Sequence, residues 1–370
     1  MNKEDKTPHV IRWIWKLSQI YGDKQVVCLT WARPSWRLHL WHYVWALANW
    51  LKLQESPNVK TNFLIADYQV LWDHLWETQR LRDSVVDMVI DWLAIGLDPN
   101  KSNFIVQSYV PEFCELFNYL TMFVPYSLAT NNPTLKDEMK KIKQRSDDEA
   151  NFISLWFVNY PVSQVADIML PGWEIIPVWE DQVPHIELAR KVIKRVNTMY
   201  GTDFAIPKAL ISEVPRLVWI DWNDKMSKSL WNTIYLTSEF DEIKSQVQKM
   251  YTDPWKISIE SPWNIDKHVV FLYLDIFHED KDEVEALKKR YIAWWKDSIG
   301  DWALKKILVE TLENFIAPIR ERRKYYQNNI HLVIDAIERW SSNVRWDAQK
   351  MLLDLRKAMG LLDYWKEYLK

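Results

Sequence analysis

Glycine is nearly absent from this chain, and tryptophan is abundant. Six glycines stand beside 24 tryptophans among 370 residues, whereas glycine ordinarily fills about 7% of positions. Because glycine adopts left-handed backbone angles and allows close approach to the backbone, a chain so poor in it has few places for tight turns. The two counts together are close to an ordinary glycine total with a few true tryptophans added. This balance indicates that tryptophan stands at positions that require glycine.

The tryptophans between residues 29 and 45 support this interpretation. The segment reads L-T-W-A-R-P-S-W-R-L-H-L-W-H-Y-V-W, and its tryptophans are Trp31, Trp36, Trp41 and Trp45. With glycine at these four positions it resembles the first signature of the class I aminoacyl-tRNA synthetases, the H-x-G-H motif that opens a nucleotide-binding fold. The resemblance implies that His39 and His42 donate to phosphate oxygens of ATP as charge builds. An indole at position 41 would occupy the place of the adenine.

A second signature of the same synthetases lies at residues 225–229, which read K-M-S-K-S. The ammonium groups of Lys225 and Lys228 can neutralise a triphosphate and the departing pyrophosphate. The resemblance therefore implies four catalytic residues, which are His39, His42, Lys225 and Lys228. The ATP-binding set that it implies also includes Arg33, Ser35, Trp41, Asp181, Met226, Ser227 and Ser229.

Two further segments narrow the resemblance to the tryptophanyl-tRNA synthetase family. Residues 159–168 read N-Y-P-V-S-Q-V-A-D-I, and residues 178–182 read V-W-E-D-Q. In that family the aspartate of the first segment, here Asp167, accepts the indole N–H. Since indole only donates, a buried acceptor rejects phenylalanine. The resemblance also implies that Asp181 binds the ribose. The tryptophan-binding residues that it implies are Asp167, Gln182, Tyr160 and Gln69.

The pattern of apolar segments predicts an α/β fold, a doubly wound parallel sheet of the Rossmann type. Strands are expected near 25–31, 62–67, 103–107 and 174–178, with helices near 38–54, 81–95, 152–170 and 184–200. Beyond residue 240 only long helices are expected. The predicted domains are an N-terminal extension over 1–22, a nucleotide-binding catalytic domain over 23–240, and an all-helical anticodon-binding domain over 241–370.

Bulk composition indicates a globular protein that does not coat nucleic acid. The net charge is −3, with 48% hydrophobic and 26% charged residues, whereas unspecific nucleic-acid binding requires a broad positive surface. A basic run at 318–324 is a candidate RNA contact, with a solvated helix face as the alternative. Two free thiols are expected at Cys28 and Cys114. Since no apolar signal region or span of about 18 residues occurs, we expect a cytoplasmic protein without a membrane anchor.

The tryptophans favour a hypothesis about translation, in which UGA encodes glycine in this gene and was read as tryptophan. Trp50 and Trp92 lie within apolar helical patterns, where an indole packs well and glycine weakens a helix, so these two are predicted to be genuine. The suspects beyond the first signature are Trp156, Trp179, Trp219, Trp222, Trp231, Trp255, Trp263, Trp294, Trp295, Trp302 and Trp340. If the tryptophans are real, a catalytically dead paralogue that binds RNA or a protein is the alternative.

The resemblance implies a homodimeric ligase that works in two steps. L-tryptophan attacks the α-phosphorus of ATP, and a hydroxyl of the terminal adenosine of tRNA(Trp) then takes the acyl group. Mg²⁺ is expected to enter with the ATP phosphates, and no metal site of the protein's own and no DNA partner is expected. Tyrosyl-tRNA synthetase, which shares the fold, stays open as an alternative.

Overall fold

A computed structural model describes residues 9–34, 37–71, 77–131, 135–137, 139–140, 154–170, 172–211, 233–251, 265, 268–293 and 298–362. The described residues contain a six-stranded sheet in which every pairing is parallel. Its strands are β1 (Val10–Arg12), β2 (Val26–Ala32), β3 (Val59–Ile65), β4 (Asn103–Val106), β5 (Ile175–Pro177) and β6 (Lys208–Ile211). The predicted strands near 25–31, 62–67, 103–107 and 174–178 are thereby confirmed.

The strand order confirms the doubly wound fold. It runs β1-β6-β5-β2-β3-β4, so the chain leaves β2 toward β3 and β4 on one side and later adds β5 and β6 on the other. The longest pairing joins β2 to β3 from Val26↔Val59 to Ala32↔Ile65. Ligands of such sheets bind beyond the carboxyl ends of the strands where the order reverses, which here is the space between β2 and β5.

Two of the strands were not predicted. β6 is a short Lys-Ala-Leu-Ile stretch, and β1 pairs with it from Val10↔Ala209 to Arg12↔Ile211. β1 therefore joins the sheet from within residues 1–22, the segment that the sequence assigned to an extension. The division into three domains remains a prediction.

Helices flank the sheet on both faces, as βαβ crossovers require. They are α1 (Lys16–Tyr21), α2 (Leu40–His42), α3 (Ala48–Gln54), α4 (Tyr68–Leu71), α5 (Thr78–Ile95), α6 (Glu112–Phe123), α7 (Tyr126–Thr130), α8 (Leu155–Met169) and α9 (Val183–Tyr200). A π-helical turn over Tyr43–Leu47 joins α2 to α3. α5 ends at Gly96, whose φ of +109° suits a residue without a side chain.

Beyond residue 233 the described elements are helices. They are α10 (Phe240–Gln248), α11 (Val269–Phe277), α12 (Lys281–Ile292), α13 (Asp301–Asn328) and α14 (Ile330–Ala358). One face of α13 is apolar and buried, and its residues include Leu304, Leu308, Leu312 and Ile316. This face shares one apolar core with Phe63 of β3, so the helical region packs directly on the sheet.

The two cysteines are free, as predicted, with Cys28 buried in β2 and Cys114 exposed on α6. Burial raises the pKa of the Cys28 thiol. Within the described ranges, no helix has both the length and the apolar character that a bilayer crossing needs.

Candidate active site

A cleft of about 290 Å³ opens at the carboxyl ends of β2 and β5. This is the reversal point of the sheet, where the fold places ligands. The side chains that line it come from both strands, from the π-helical turn and from α3, and they are Thr30, Trp31, Trp45, Ala46, Asn49, Trp50, Pro177, Val178, Trp179, Asp181 and Gln182.

Indoles crowd this cleft. The ring centroids of Trp45 and Trp179 lie 3.7 Å apart at 45°, and those of Trp41 and Trp45 lie 4.7 Å apart. Favourable aromatic pairs have centroids about 4.5–7 Å apart, so Trp45 and Trp179 are closer than packing favours. The three rings occupy volume beside a cleft that is otherwise open to a ligand.

The first signature brings its two histidines together. His39 precedes α2 in an extended conformation, its backbone N–H donates to Nδ1 of His42 over 3.1 Å, and the two ring centroids are 3.8 Å apart. That bond makes Nδ1 an acceptor, which leaves the proton of a neutral His42 ring on Nε2, where it can donate to a ligand. Arg33 follows β2 directly. Ser35 lies outside the described residues.

The lysine signature, residues 225–229, also lies outside the described residues, but the segment that follows it is described. Leu236 N–H donates to the carbonyl of Leu38 over 2.9 Å, and Leu40 N–H donates to the carbonyl of Ile234 over 3.0 Å. These bonds pair the first signature with the chain that leaves the second. The fold therefore ties the first signature to residues 234–236, which follow the second signature in sequence.

Asp167 forms the centre of a buried polar cluster on the other side of β2. It is 3% exposed, and the Nε2 of Gln107 donates to its Oδ1 over 2.6 Å. Gln107 opens a 3₁₀ turn after β4, and the next residue, Ser108, donates its backbone N–H to Asp67 over 3.0 Å. The turn thus holds both carboxylates, and the charge of Asp67 acts on Asp167.

Polar groups near this cluster have no hydrogen-bond partner among the described residues. They are Nε2 of Gln69, Oε1 of Gln107 and Oε1 of Gln164. Gln69 follows Asp67 by two residues, and Gln164 lies one helical turn before Asp167 on α8. Because buried amides are normally satisfied, such groups point to a polar ligand.

Tyr160 and His185 link this cluster to the rim of the cleft. Tyr160 is 3% exposed on α8, and its ring lies 5.8 Å from that of His185 on α9. Burial lowers the pKa of His185 to about 4, and the charge of Asp181 opposes that shift. Asp181 and Gln182 lie on the turn before α9, where Gln182 Nε2 donates to Asp181 Oδ2 over 3.4 Å.

Comparison with known proteins agrees with this geometry. The family described as tRNA synthetases class I (W and Y) matches residues 23–316. The chain belongs to this family. It is 39% identical over 338 residues to the tryptophan–tRNA ligase of Clostridium longisporum, covering 90% of this chain and 97% of that relative. It is 38% identical over 344 residues to the tryptophan–tRNA ligase of Lactococcus lactis subsp. lactis, covering 91% and 98%.

Solved structures give the same result for this synthetase. The crystal structure of tryptophanyl-tRNA synthetase from Campylobacter jejuni complexed with ADP and tryptophan matches with a TM-score of 0.79 at 28% identity, covering 90% of this chain and 100% of that one. The tryptophanyl-tRNA synthetase of Mycoplasma pneumoniae shares the fold with a TM-score of 0.71 at 19% identity.

Two arginines of the basic run at 318–324 form ion pairs within the protein and are not open to RNA. Arg323 pairs with Asp91 at 2.6 Å and with Asp87 at 2.8 Å, and its side chain is 13% exposed. Arg320 pairs with Glu313 at 2.6 Å, with 12% exposed. Both arginines are held by acidic groups, so the interpretation as a candidate RNA contact, and that as a solvated face, were wrong for them.

Sequence reasoning missed Gln107, which the structure joins to Asp167. One signal could have found it, because Gln107 is the last residue of a predicted buried strand, and the carboxyl ends of parallel strands meet at one edge. It also missed Trp13, whose φ is +83°. That conformation is a genuine outlier for a bulky residue and natural for glycine.

The buried carboxyl of Asp167 predicts a pH effect on stability. Burial raises its pKa from 3.8 to about 7, Gln107 opposes the rise, and the charge of Asp67 adds to it. The folded state therefore holds this proton more tightly than the unfolded state. The resulting contribution of Asp167 to the stability of the fold is complete below about pH 4 and is lost as pH rises through 7. Between pH 5 and 8, without ligand, we expect the Tm of the parent chain to fall by about 5 °C relative to that of Asp167→Asn. Equal pH profiles by calorimetry would contradict this.

Proposed function

We propose that this synthetase is a tryptophan–tRNA ligase, which forms tryptophanyl-adenylate from L-tryptophan and ATP and then transfers the acyl group to tRNA(Trp). The observation that carries the proposal is the buried Asp167, held at its Oδ1 by Gln107 and next to unsatisfied amides. A fixed, buried acceptor selects a side chain with one N–H donor. Gln182, Tyr160 and Gln69 are proposed to bind the rest of the amino acid.

ATP is proposed to lie in the cleft between β2 and β5. The ribose binds Asp181, and the phosphates lie between the paired histidines and the lysine loop, with Arg33 and Ser35 beside them. His39, His42, Lys225 and Lys228 stabilise the charge that develops when the tryptophan carboxylate attacks the α-phosphorus and pyrophosphate leaves. Trp41, Met226, Ser227 and Ser229 complete the proposed ATP-binding set. No covalent enzyme intermediate is needed, since positioning and charge neutralisation supply the acceleration.

Mg²⁺ is proposed to arrive with the ATP phosphates. Within the described residues, no group of three or more histidine, cysteine, aspartate or glutamate side chains could hold a metal ion. The groups proposed to bind the phosphates, which are His39, His42 and Arg33 with backbone amides, suit phosphate oxygens. The ion therefore supplies charge neutralisation as part of the nucleotide.

ATP–pyrophosphate exchange tests the substrate. Exchange that depends on tryptophan supports the proposal, because the indole N–H can bond Asp167. Exchange that depends on tyrosine would replace the proposal with a tyrosyl-tRNA synthetase. Tryptophan-dependent charging of unfractionated tRNA then tests the second step, for which we propose that the helices after residue 240 hold the anticodon. We place the reaction in the cytoplasm, where tRNA is charged.

We also propose that tryptophan at several positions stands for glycine, through UGA codons. Two observations support it, the φ of +83° at Trp13 and the 3.7 Å between the rings of Trp45 and Trp179. By contrast, Trp50 stacks on Phe63 with ring centroids 5.2 Å apart and is 4% exposed, so it packs as a true tryptophan.

The codons and the mass of the native protein decide this proposal. UGA at positions 13, 31, 36, 41, 45 and 179, with UGG at 50 and 92, is the expected result. Mass spectrometry of the protein from its native host is expected to show peptides that carry glycine at the first group. UGG codons at 41, 45 and 179 would refute the proposal and favour a catalytically dead paralogue.

The synthetase is proposed to be a homodimer through α6, α7 and the start of α8. Met122, Tyr126 and Leu155 on these helices are 66%, 81% and 77% exposed, and such apolar groups favour burial in an interface. We expect Met122→Glu with Tyr126→Glu to raise the dimer dissociation constant by at least about tenfold, measured by sedimentation. Met199→Glu, at an exposed methionine of α9, is the matched control. An unchanged dimer in the double variant would exclude this surface.

A further inference from the structure

The helix α13 contacts the carboxylate of Asp91, which also binds the backbone of the first signature. The Nε of Arg323 donates to Oδ1 of Asp91 over 2.6 Å, and its Nη2 donates to Oδ1 of Asp87 over 2.8 Å. Asp91 lies on α5 and is 3% exposed. Its other oxygen, Oδ2, accepts the backbone N–H of Leu38 over 3.4 Å. Since Leu38 directly precedes His39, a chain of contacts runs from α13 to the signature histidines.

The same helix contacts the segment that follows the lysine signature. Arg320 donates through Nη1 to the carbonyl of Ser238, and its Nε lies 3.2 Å from Oε2 of Glu239. Ser238 ends the segment whose residues 234–236 pair with residues 38–40. Arg320 and Arg323 are three residues apart, so they project from one face of the helix. That face therefore contacts Asp91, which binds Leu38, and also Ser238 and Glu239.

The surroundings of Asp91 restrict the movement of the contacts that join α13 to Leu38. Burial raises the pKa of Asp91, and the guanidinium of Arg323 opposes the rise. Arg323 is the cation paired with this buried carboxyl group, and removing one partner of a buried ion pair leaves the other without compensation. Each oxygen of Asp91 has its own partner, one on α13 and one on the signature. A shift of α13 is therefore passed to the backbone at Leu38.

We infer that Asp91 and Arg323 are positioning residues, which set the histidines of the first signature against ATP and couple the placement of α13 to the ATP cleft. The inference rests on the proposed function for its kinetic test. A displacement of about 1 Å in a catalytic group can lower a rate about 10²-fold, so a helix contact far from the phosphates can control their chemistry. Arg320 contacts Ser238, which lies just after the residues that pair with the first signature.

The test compares Arg323→Met with Arg322→Met in the full-length protein, with residues 31, 36, 41, 45 and 179 as the native host translates them. Arg322 donates to the carbonyl of Ala94 on α5, so its loss removes a similar helix contact that does not lead to Leu38. In ATP–pyrophosphate exchange, Arg323→Met is expected to lower kcat/KM for ATP about 10- to 100-fold. The KM for tryptophan should change less than about twofold, and Arg322→Met should leave both unchanged. Arg323→Lys, which keeps the charge, should restore part of the loss.

A double variant separates positioning from stability. Asp91→Leu with Arg323→Met leaves neither charge of the pair, so it is expected to unfold at a temperature closer to that of the parent chain than Arg323→Met does. The kinetic defect should persist, because the contact with Leu38 is gone. If activity returns together with stability, or if Arg322→Met is equally defective, the pair is merely structural and the inference is wrong.

Hydrogen exchange of residues 38–42 gives a readout that does not depend on activity. Faster exchange there in Arg323→Met, with slow exchange kept in Arg322→Met, supports the coupling. Equal protection in both variants overturns it. A parent protein without exchange activity toward any amino acid would refute the proposed function, and the hydrogen-exchange result would still decide the coupling.

Discussion

Replacing the tryptophans of the first signature, together with Trp179, with glycine is expected to raise the rate of ATP–pyrophosphate exchange at least about 10²-fold over the chain that carries indoles. The positions are Trp31, Trp36, Trp41, Trp45 and Trp179. The cleft measures about 290 Å³ between indoles, and two of its rings lie 3.7 Å apart. Without these rings, the nucleotide can reach the backbone amides after β2 and at the start of α2.

Glycine at the two core tryptophans, Trp50 and Trp92, is instead expected to destabilise the fold. Trp92 is fully buried and lies 5.4 Å from the ring of Trp50. We expect Trp92→Gly to lower the free energy of unfolding by about 4–6 kcal/mol, through the cavity and the flexibility added within α5. Urea unfolding measures this loss.

A variant with glycine at the cleft positions that folds normally but gains no exchange activity would refute our account of the cleft.

Removing the carboxylate of Asp167 is expected to have the second largest effect. A hydrogen bond to a charged group is worth about 1.5–3 kcal/mol, so Asp167→Ala should lower kcat/KM for tryptophan about 10- to 100-fold. The rate with phenylalanine should rise relative to that with tryptophan, because the buried acceptor that rejects a ring without an N–H is gone. Exchange assays with both amino acids measure the ratio.

Ser163→Ala is the matched control for that experiment. Ser163 is buried on the same helix, but its hydroxyl donates to the carbonyl of Tyr160 within α8. We expect its discrimination between tryptophan and phenylalanine to stay at the parent value. If Asp167→Ala keeps the parent ratio as well, Asp167 does not select the substrate, and the choice of tryptophan lies elsewhere in the pocket.

Local patterns predicted the centre of the fold well. β2, β3 and β4 are short runs of apolar residues between turns, which is the pattern of buried parallel strands, and all three lie where they were expected. The structure also brings the two signature histidines together, with ring centroids 3.8 Å apart, because they are three residues apart at the start of a helix. Their role stays a proposal. The lysine signature falls outside the described residues, so its placement stays a prediction.

The strands β1 and β6 and the environment of the basic run could not be predicted from local patterns. β1 is three residues long and is stabilised by β6, which is about 200 residues away in sequence. The run at 318–324 has the composition of a basic surface, yet the side chains of Arg320 and Arg323 are only 12% and 13% exposed and pair with acidic groups of distant elements. Only the packing of α13 on α5 and α10 decides between these two environments.

Sequence alone identified the family, since the two signatures and the A-D-I segment are all recognised from residues that are neighbours in sequence. Tertiary structure decided which groups act together. It joined Gln107 to Asp167 across 60 residues, paired the flank of one signature with the other, and linked α13 to Leu38 through Asp91. The physical reason is that hydrogen bonds and ion pairs act over about 3 Å, and sequence patterns carry no information about which distant segments the core brings that close.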